Sequence, residues 1–262
     1  MRNRAIRAAI VAAGLLGAAG IASTAQAADI DTYVQTNSAW IDPATGSING
    51  RIHWASNPGG EGAAVGRILL QGTDASHNAQ SIPVYCVDVA DILGNGTFYK
   101  QDLSSLTFSD TQKTNLIKFV TYGDALVNAA SGFQKTLSAA ATQLGVWELL
   151  NETAASSWNV LSGNFYVSRY DNDAIFDAAA LANSWLASLA QGDIPLSATQ
   201  TLSVLDPGHG NQTQVYITAR GNSDLNLPGV PEPATWGMIV LGFGLLGSAL
   251  RRRKQDELLA DY

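Results

Sequence analysis

Hydrophobic periodicity changes twice along this chain, and that double change limits the folds open to it. From residue 29 to 73 short β-type runs alternate with turns: 32–34, 50–54 and 65–71 read as strand, and Pro58-Gly59-Gly60 reads as a loop. A further strand spans 81–88, where Pro83 belongs at a sheet edge or among the first residues because its nitrogen has no proton to donate. The middle of the chain then shifts to helical spacing. Ser109 or Asp110 caps a helix running to about Val120, with Leu116, Ile117 and Val120 on one side, and 122–127 extends it or forms a separate short turn. Residues 133–151, rich in Ala and Leu, form the clearest helix. Another covers 171–191, with Ile175, Phe176, Ala179, Leu186 and Leu189 as its apolar face, Asp171 and Asp173 capping and charge-matching its start, and Gly192 ending it. Strands return at 200–205 and 214–219, joined by the turn formers Asp206-Pro207-Gly208-His209-Gly210. The expected architecture is α+β: sandwich- or barrel-like strands with an inserted helical subdomain, plus one C-terminal transmembrane helix.

Both ends read as addresses rather than parts of the fold. Arg2, Arg4 and Arg7 precede an apolar stretch, 8–21, and Ala25-Gln26-Ala27 supplies an A-x-A cleavage site, so 1–27 is a signal peptide and the mature chain starts at Ala28. At the other end a polar linker, 221–229, leads to Val230-Pro231-Glu232-Pro233. An uncharged run, 234–250, follows, and then Arg251, Arg252, Arg253 and Lys254. Seventeen apolar positions at about 1.5 Å each sit at the short end of a membrane span, and the basic cluster holds the tail 255–262 in the cytoplasm. The prolines keep Glu232 in extended backbone that a processing enzyme can grip. This motif, span and basic end together resemble the PEP-CTERM sorting signal of exopolysaccharide-producing Gram-negative bacteria. The resemblance implies transient anchoring in the inner membrane, cleavage near the motif by an exosortase-type enzyme, and export to the cell surface or extracellular matrix.

Charge narrows the partners. The whole chain is −7, but three cations lie in the signal peptide and four cations with three acids lie in the tail from Arg251. The remainder, 28–250, therefore carries eight cations against nineteen acids, near −11. Such a surface repels phosphate backbones, which excludes nucleic-acid binding. His53, His77 and His209 have no metal-ligand spacing, Asp171, Asp173 and Asp177 read as helix-start residues rather than calcium ligands, and no cofactor motif is present. Tyr33, Trp40, Trp54, Trp158 and Trp185 fit core packing better than a sugar-stacking platform.

Cys86 is the only cysteine, so no internal disulfide staples this exported chain. It lies in Tyr85-Cys86-Val87-Asp88, and fifty-seven residues later a helix carries Thr142-Gln143-Leu144-Gly145-Val146-Trp147. On a 3.6-residue period Ala139, Ala140, Gln143, Val146, Trp147 and Leu150 share one face, leaving Gln143 as the single polar side chain of an apolar stripe. A buried amide without partners costs about 1–3 kcal/mol, so it is hydrogen-bonded or serves another purpose. The two segments resemble the thioester domains of bacterial surface proteins, with Gly145 and Val146 standing where that family usually has Ala and Ile. The resemblance implies a thioester between Cys86 and Gln143, supported by Tyr85, Asp88, Thr142 and Trp147, with Tyr85 and Trp147 shielding it from water. Such a bond is a stored acylating agent for amines. The expected function is covalent attachment without turnover: an adhesion, biofilm or extracellular-matrix protein coupled to an amine-bearing surface protein. The alternatives are an inert buried Cys86 in a passive structural or polysaccharide-associated protein, and a cysteine hydrolase pairing Cys86 with His209.

Overall fold

A computed structural model describes residues 33–208 and 211–220. The signal peptide, the linker, the sorting motif with its apolar run 234–250, the cytoplasmic tail and His209 lie outside these residues. Nine strands and three α-helices follow one another as β1 (Tyr33–Ile41), β2 (Ile48–Trp54), β3 (Asn57–Val65), β4 (Ile68–Asp74), β5 (Ala79–Cys86), β6 (Gly96–Asp102), α1 (Asp110–Ala129), α2 (Gly132–Asn151), β7 (Phe165–Ser168), α3 (Ala174–Gln191), β8 (Gln200–Asp206) and β9 (Gln214–Ala219). Six strands close an antiparallel barrel in the order β1-β4-β5-β9-β8-β6, and a separate three-stranded sheet runs β3-β2-β7. The chain is α+β, with all three helices between β6 and β8. No helix among the described residues is long and apolar enough to cross a membrane.

The barrel's seams differ in length. β4 and β5 pair from Ile68↔Val84 to Thr73↔Ala79, and β8 and β9 from Gln200↔Ala219 to Leu205↔Gln214. Between β5 and β9 the register holds only Tyr85↔Val215 and Cys86↔Gln214. The half of β5 carrying Pro83 therefore faces no β9 partner, so the proline sits at a local edge although it is mid-strand.

Helix α1 starts on a capping box, Ser109 and Gln112 each bonding the other's backbone, and continues without a break through 122–127. Helix α2 is buried on every side from Leu137 to Leu149, so the predicted apolar stripe is only one of its packed faces and Ser138, Thr142 and Glu148 are buried as well. Helix α3 ends on Gly192 with φ +83°.

Three local expectations are corrected. Pro58, Gly59 and Gly60 are not a free loop; they form a bulge in edge strand β3, between the pairs Trp54↔Asn57 and Ile52↔Glu61. An edge strand with solvent on one side tolerates a residue that cannot donate and two without side chains. Asp173 holds the N-cap position of α3, but neither it nor Asp171 makes a side-chain cap bond there. Asp171 accepts from Asn49 Nδ2 at 2.8 Å, Asp173 pairs with Arg169, and Asn172 Oδ1 takes the Ala174 N–H at 2.9 Å. Strands β6 and β7 are additional to those expected; the second is only four residues long, and its Phe165 and Val167 face the core.

Candidate functional site

Cys86 is the last residue of β5, and alternation along the strand sends its neighbour to the other side. Cys86 belongs to the main core, with Ile68, Val84, Ala140, Leu144 and Trp147, and Tyr85 to a second cluster, with Val87, Leu116, Val120 and Val146. The Tyr85 hydroxyl donates to Asp124 Oδ1 at 2.9 Å. Arg67 binds the same oxygen at 2.9 Å and Asp42 Oδ2 at 2.7 Å, making a buried charged knot that ties α1 to the β3–β4 turn. Burial, with the Asp124 charge adding, holds the Tyr85 phenol well above its ordinary range. The expected shielding role of Tyr85 is thereby corrected: it anchors the strand from the opposite face.

Helix α2 brings Gln143 onto the end of β5. The Cys86 N–H donates to Gln143 Oε1 at 2.9 Å, and Gln143 Nε2 donates to the Cys86 carbonyl at 2.9 Å. A backbone N–H only donates and a carbonyl only accepts, so these two bonds fix which end of the amide is oxygen. The carboxamide is clamped flat against the backbone of the cysteine itself. Its carbonyl is polarised by an N–H, the arrangement that stabilises charge on that oxygen when a nucleophile adds to the carbon. Both residues are buried, at 2% and 1% exposure.

The α2 geometry depends on how closely α1 crosses it. A Cβ on Gly145 would lie 2.1 Å from Phe119 Cζ, so only glycine fits that crossing. Thr142 is fully buried and turns its hydroxyl back to the Ser138 carbonyl at 2.8 Å. Asp88 caps its own turn, accepting the Ala90 N–H at 3.0 Å, and shares a hydrogen bond with Asp91 that raises the Asp91 pKa. Thr142 and Asp88 thus support backbone around the pair rather than contacting the carboxamide.

Cys86 and Gln143 line a cavity of about 340 Å³. Trp147, Ile52, Ile68 and Leu93 make its apolar wall, and Trp40 and Ile92 stand largely exposed at its rim; among the described residues Glu61 and Asp91 are the carboxylates that line it, and no Lys, Arg or His does. Trp147 is buried against Phe165, with ring centres 5.8 Å apart, and lines the same cavity as Cys86 and Gln143. The thiol donates to Gln212 Oε1 at 2.9 Å. Burial pushes the thiol up to about 12; a Gln214 hydrogen bond opposes this and the Asp88 charge adds to it, so the group is a thiol, not a thiolate, at neutral pH.

Glu61, Asp91, Gln212 and Gln214 escape a sequence reading because no motif contains them; only the β5–β9 register, in which Gln214 faces Cys86, could have pointed to the last two. His53 lies elsewhere, its Nδ1 at 2.9 Å from the Pro58 carbonyl and its Nε2 at 2.8 Å from Ser168 Oγ, stacked on Tyr166. Trp185 is core, packed on Phe119 and Tyr122, while Trp54 and Trp158 are half-buried. Among the described residues no group of three His, Cys, Asp or Glu side chains could hold a metal ion.

Residues 229–254 match the PEP-CTERM protein-sorting motif. The motif implies export to the cell surface or extracellular space and processing by an exosortase-type enzyme. Among solved structures, the chain is similar to the N-terminal thioester domain of a surface protein from Clostridium perfringens, 13% identical with a TM-score of 0.38 over 59% of this chain and 89% of that one. A mutant of that domain with one cysteine replaced by alanine gives 15% identity and a TM-score of 0.39 over the same shares. No curated protein matches the chain.

Proposed function

We propose that this exported domain couples covalently to primary amines through a thioester joining Cys86 Sγ to the Gln143 carboxamide carbon. The observation that supports it most is the double hydrogen bond between the Gln143 amide and the Cys86 backbone, at the wall of a mostly apolar cavity that both residues line. In the forming step the sulfur adds to the Gln143 carbon, the carbon–nitrogen bond breaks, and the thiol proton leaves with the nitrogen as ammonia. The product has no N–H to satisfy and is easier to bury than the amide. In the coupling step an amine displaces the sulfur, leaving an amide on Gln143 and a free Cys86 thiol. Glu61 and Asp91 attract an ammonium to the cavity, and its apolar wall suits an aliphatic stem and favours loss of the proton.

On this reading the chain is not a turnover enzyme. Its partners are an exosortase-type processing enzyme, the inner membrane through 234–250 before processing, and then an amine-bearing surface protein or matrix component in an adhesive or biofilm setting. Intact mass is the test. The mature protein is expected ~17 Da light, for ammonia lost in a covalent step; Cys86→Ala restores the calculated mass, and methylamine transfers to Gln143 with release of one thiol. A folded wild-type protein at full mass, inert to methylamine, overturns the proposal.

A second reading has its own support. The same two bonds give both polar atoms of the buried amide a partner, which is all that an inert strand–helix contact requires in a passive structural or polysaccharide-associated matrix protein. A hydrolase reading is weaker, because the Cys86 thiol donates to an amide oxygen rather than to an imidazole.

A further inference from the structure

Cys86 Sγ touches a second glutamine that no motif in the sequence marks. Gln212 sits in the β8–β9 connection, 8% exposed, and each of its polar groups is engaged. Its Nε2 donates to the Asp88 carbonyl at 3.0 Å, its backbone N–H to the Ile92 carbonyl at 3.0 Å, and its own carbonyl accepts from Gln214 Nε2 at 3.2 Å. Since the Asp88 carbonyl can only accept, the amide nitrogen must face it and Oε1 must face the sulfur. The thiol of Cys86 therefore donates its proton to Gln212.

We propose that Gln212 is the positioning residue of the coupling site, resting on the thioester reading above: it sets the orientation of the Cys86 sulfur and links that orientation to the cavity wall. The same residue holds the segment that follows β5. Gln212 bonds Asp88 and Ile92, Asn211 Nδ2 donates to the Asn95 carbonyl at 3.1 Å, and the Val87 N–H donates to the Thr213 carbonyl at 3.1 Å. That segment contributes Val89, Ala90, Asp91, Ile92 and Leu93 to the cavity. Before the thioester forms, one side chain fastens thiol and wall together. Once it has formed, the sulfur carries no proton, Gln212 Oε1 faces a group that cannot donate, and the wall loses that tie. The wall is thus held more firmly while the bond is being made than when an amine must reach it. The step balances without Gln212 changing: sulfur–carbon forms, carbon–nitrogen breaks, and the sulfur's proton departs in the ammonia.

The test compares wild type, Gln212→Ala and Gln212→Glu as full-length secreted protein, scored by intact mass over time after synthesis and normalised to the folded fraction by circular dichroism. Gln212→Ala is expected to form the light species about tenfold more slowly or less, the scale on which a misplaced reacting group loses rate. Gln212→Glu is the conservative rescue. A neutral carboxyl reproduces both bonds, donating to Asp88 and accepting from the thiol, whereas a carboxylate cannot donate. Formation in that variant should match wild type near pH ~4 and fall behind it toward pH ~8, with Asp88 and Asp91 common to both proteins. A folded Gln212→Ala protein that forms the light species at the wild-type rate overturns this inference alone. If Gln212→Ala does not fold, a folded Gln212→Glu protein with a pH profile parallel to wild type overturns it. A wild-type protein at full mass overturns both this inference and the coupling reading.

Discussion

Glu148 shows how one buried group can set the chemistry of a helix. It is fully buried five residues after Gln143, with Oε1 accepting the Asn159 N–H at 2.7 Å and Oε2 without a partner among the described residues. Burial, opposed by the Asn159 bond and reinforced by the Glu152 charge, pushes this carboxyl from 4.5 up to about 7. The folded state then holds the proton more tightly than the unfolded chain. That contribution to stability is complete below about pH 4.5 and is lost as pH rises through about 7. Glu148→Gln keeps the acceptor and removes the titration. The variant should gain stability relative to wild type across that window, by on the order of 2 kcal/mol at pH 8, measured as the difference in urea midpoints at pH 5 and pH 8. A difference that does not change with pH would sink the assignment. At this scale the site was half legible: Cys86 and Gln143 stand out as the lone cysteine and the lone polar side chain of an apolar stripe. Glu61, Asp91 and Gln212 do not, because an exposed-looking acid or a Gln in a polar turn carries no signal until the chain folds. Tyr85 was misassigned because adjacency in sequence is opposition on a strand.

Among elements, the crossing of α1 and α2 sets where Gln143 stands. Gly145 stands where the resembled motif usually has alanine, and here the Phe119 ring fills the space an alanine methyl would need. Gly145→Ala should therefore lose about 1–3 kcal/mol to overpacking, despite the gain of about 1 kcal/mol that alanine brings to a helix interior. Combining it with Phe119→Leu should recover part of the loss, and denaturant titration of the single and double variants gives the coupling. A stabilised Gly145→Ala protein would contradict the close crossing. The helices were the legible elements, because long runs at helical spacing identify themselves; α1 was only left undecided at 122–127. The short sheet was not. A Pro-Gly-Gly bulge on an edge strand has the composition of a loop, and four residues, Phe165–Ser168, are too few to establish a period.

For the whole molecule, the export address is carried by segments separate from the domain. Glu232 lies in the matched sorting motif, so Glu232→Ala should leave the precursor uncleaved in the membrane fraction while the β-barrel domain folds as before. Immunoblotting of membrane and secreted fractions reads this out, and normal maturation of the variant would count against the motif as the signal. The absence of any disulfide, read from a single cysteine, leaves stability to the core and to the Asp42–Arg67–Asp124 knot. The α+β class followed from the order of periodicities. Barrel closure did not, because the register that joins β5 to β9 spans only two residues and no local pattern encodes so short a contact.

That brief contact has a mechanical meaning. β9 is the strand from which the chain continues toward the sorting motif at 229–254, and it is laced to β8 along its length but paired with β5 only at Tyr85 and Cys86. Tension on a tethered molecule would part the weaker stitch first, and the stitch ends on the cysteine whose backbone holds Gln143. Pulling on that end of the chain would thereby load first the contact that holds Gln143 against the Cys86 backbone.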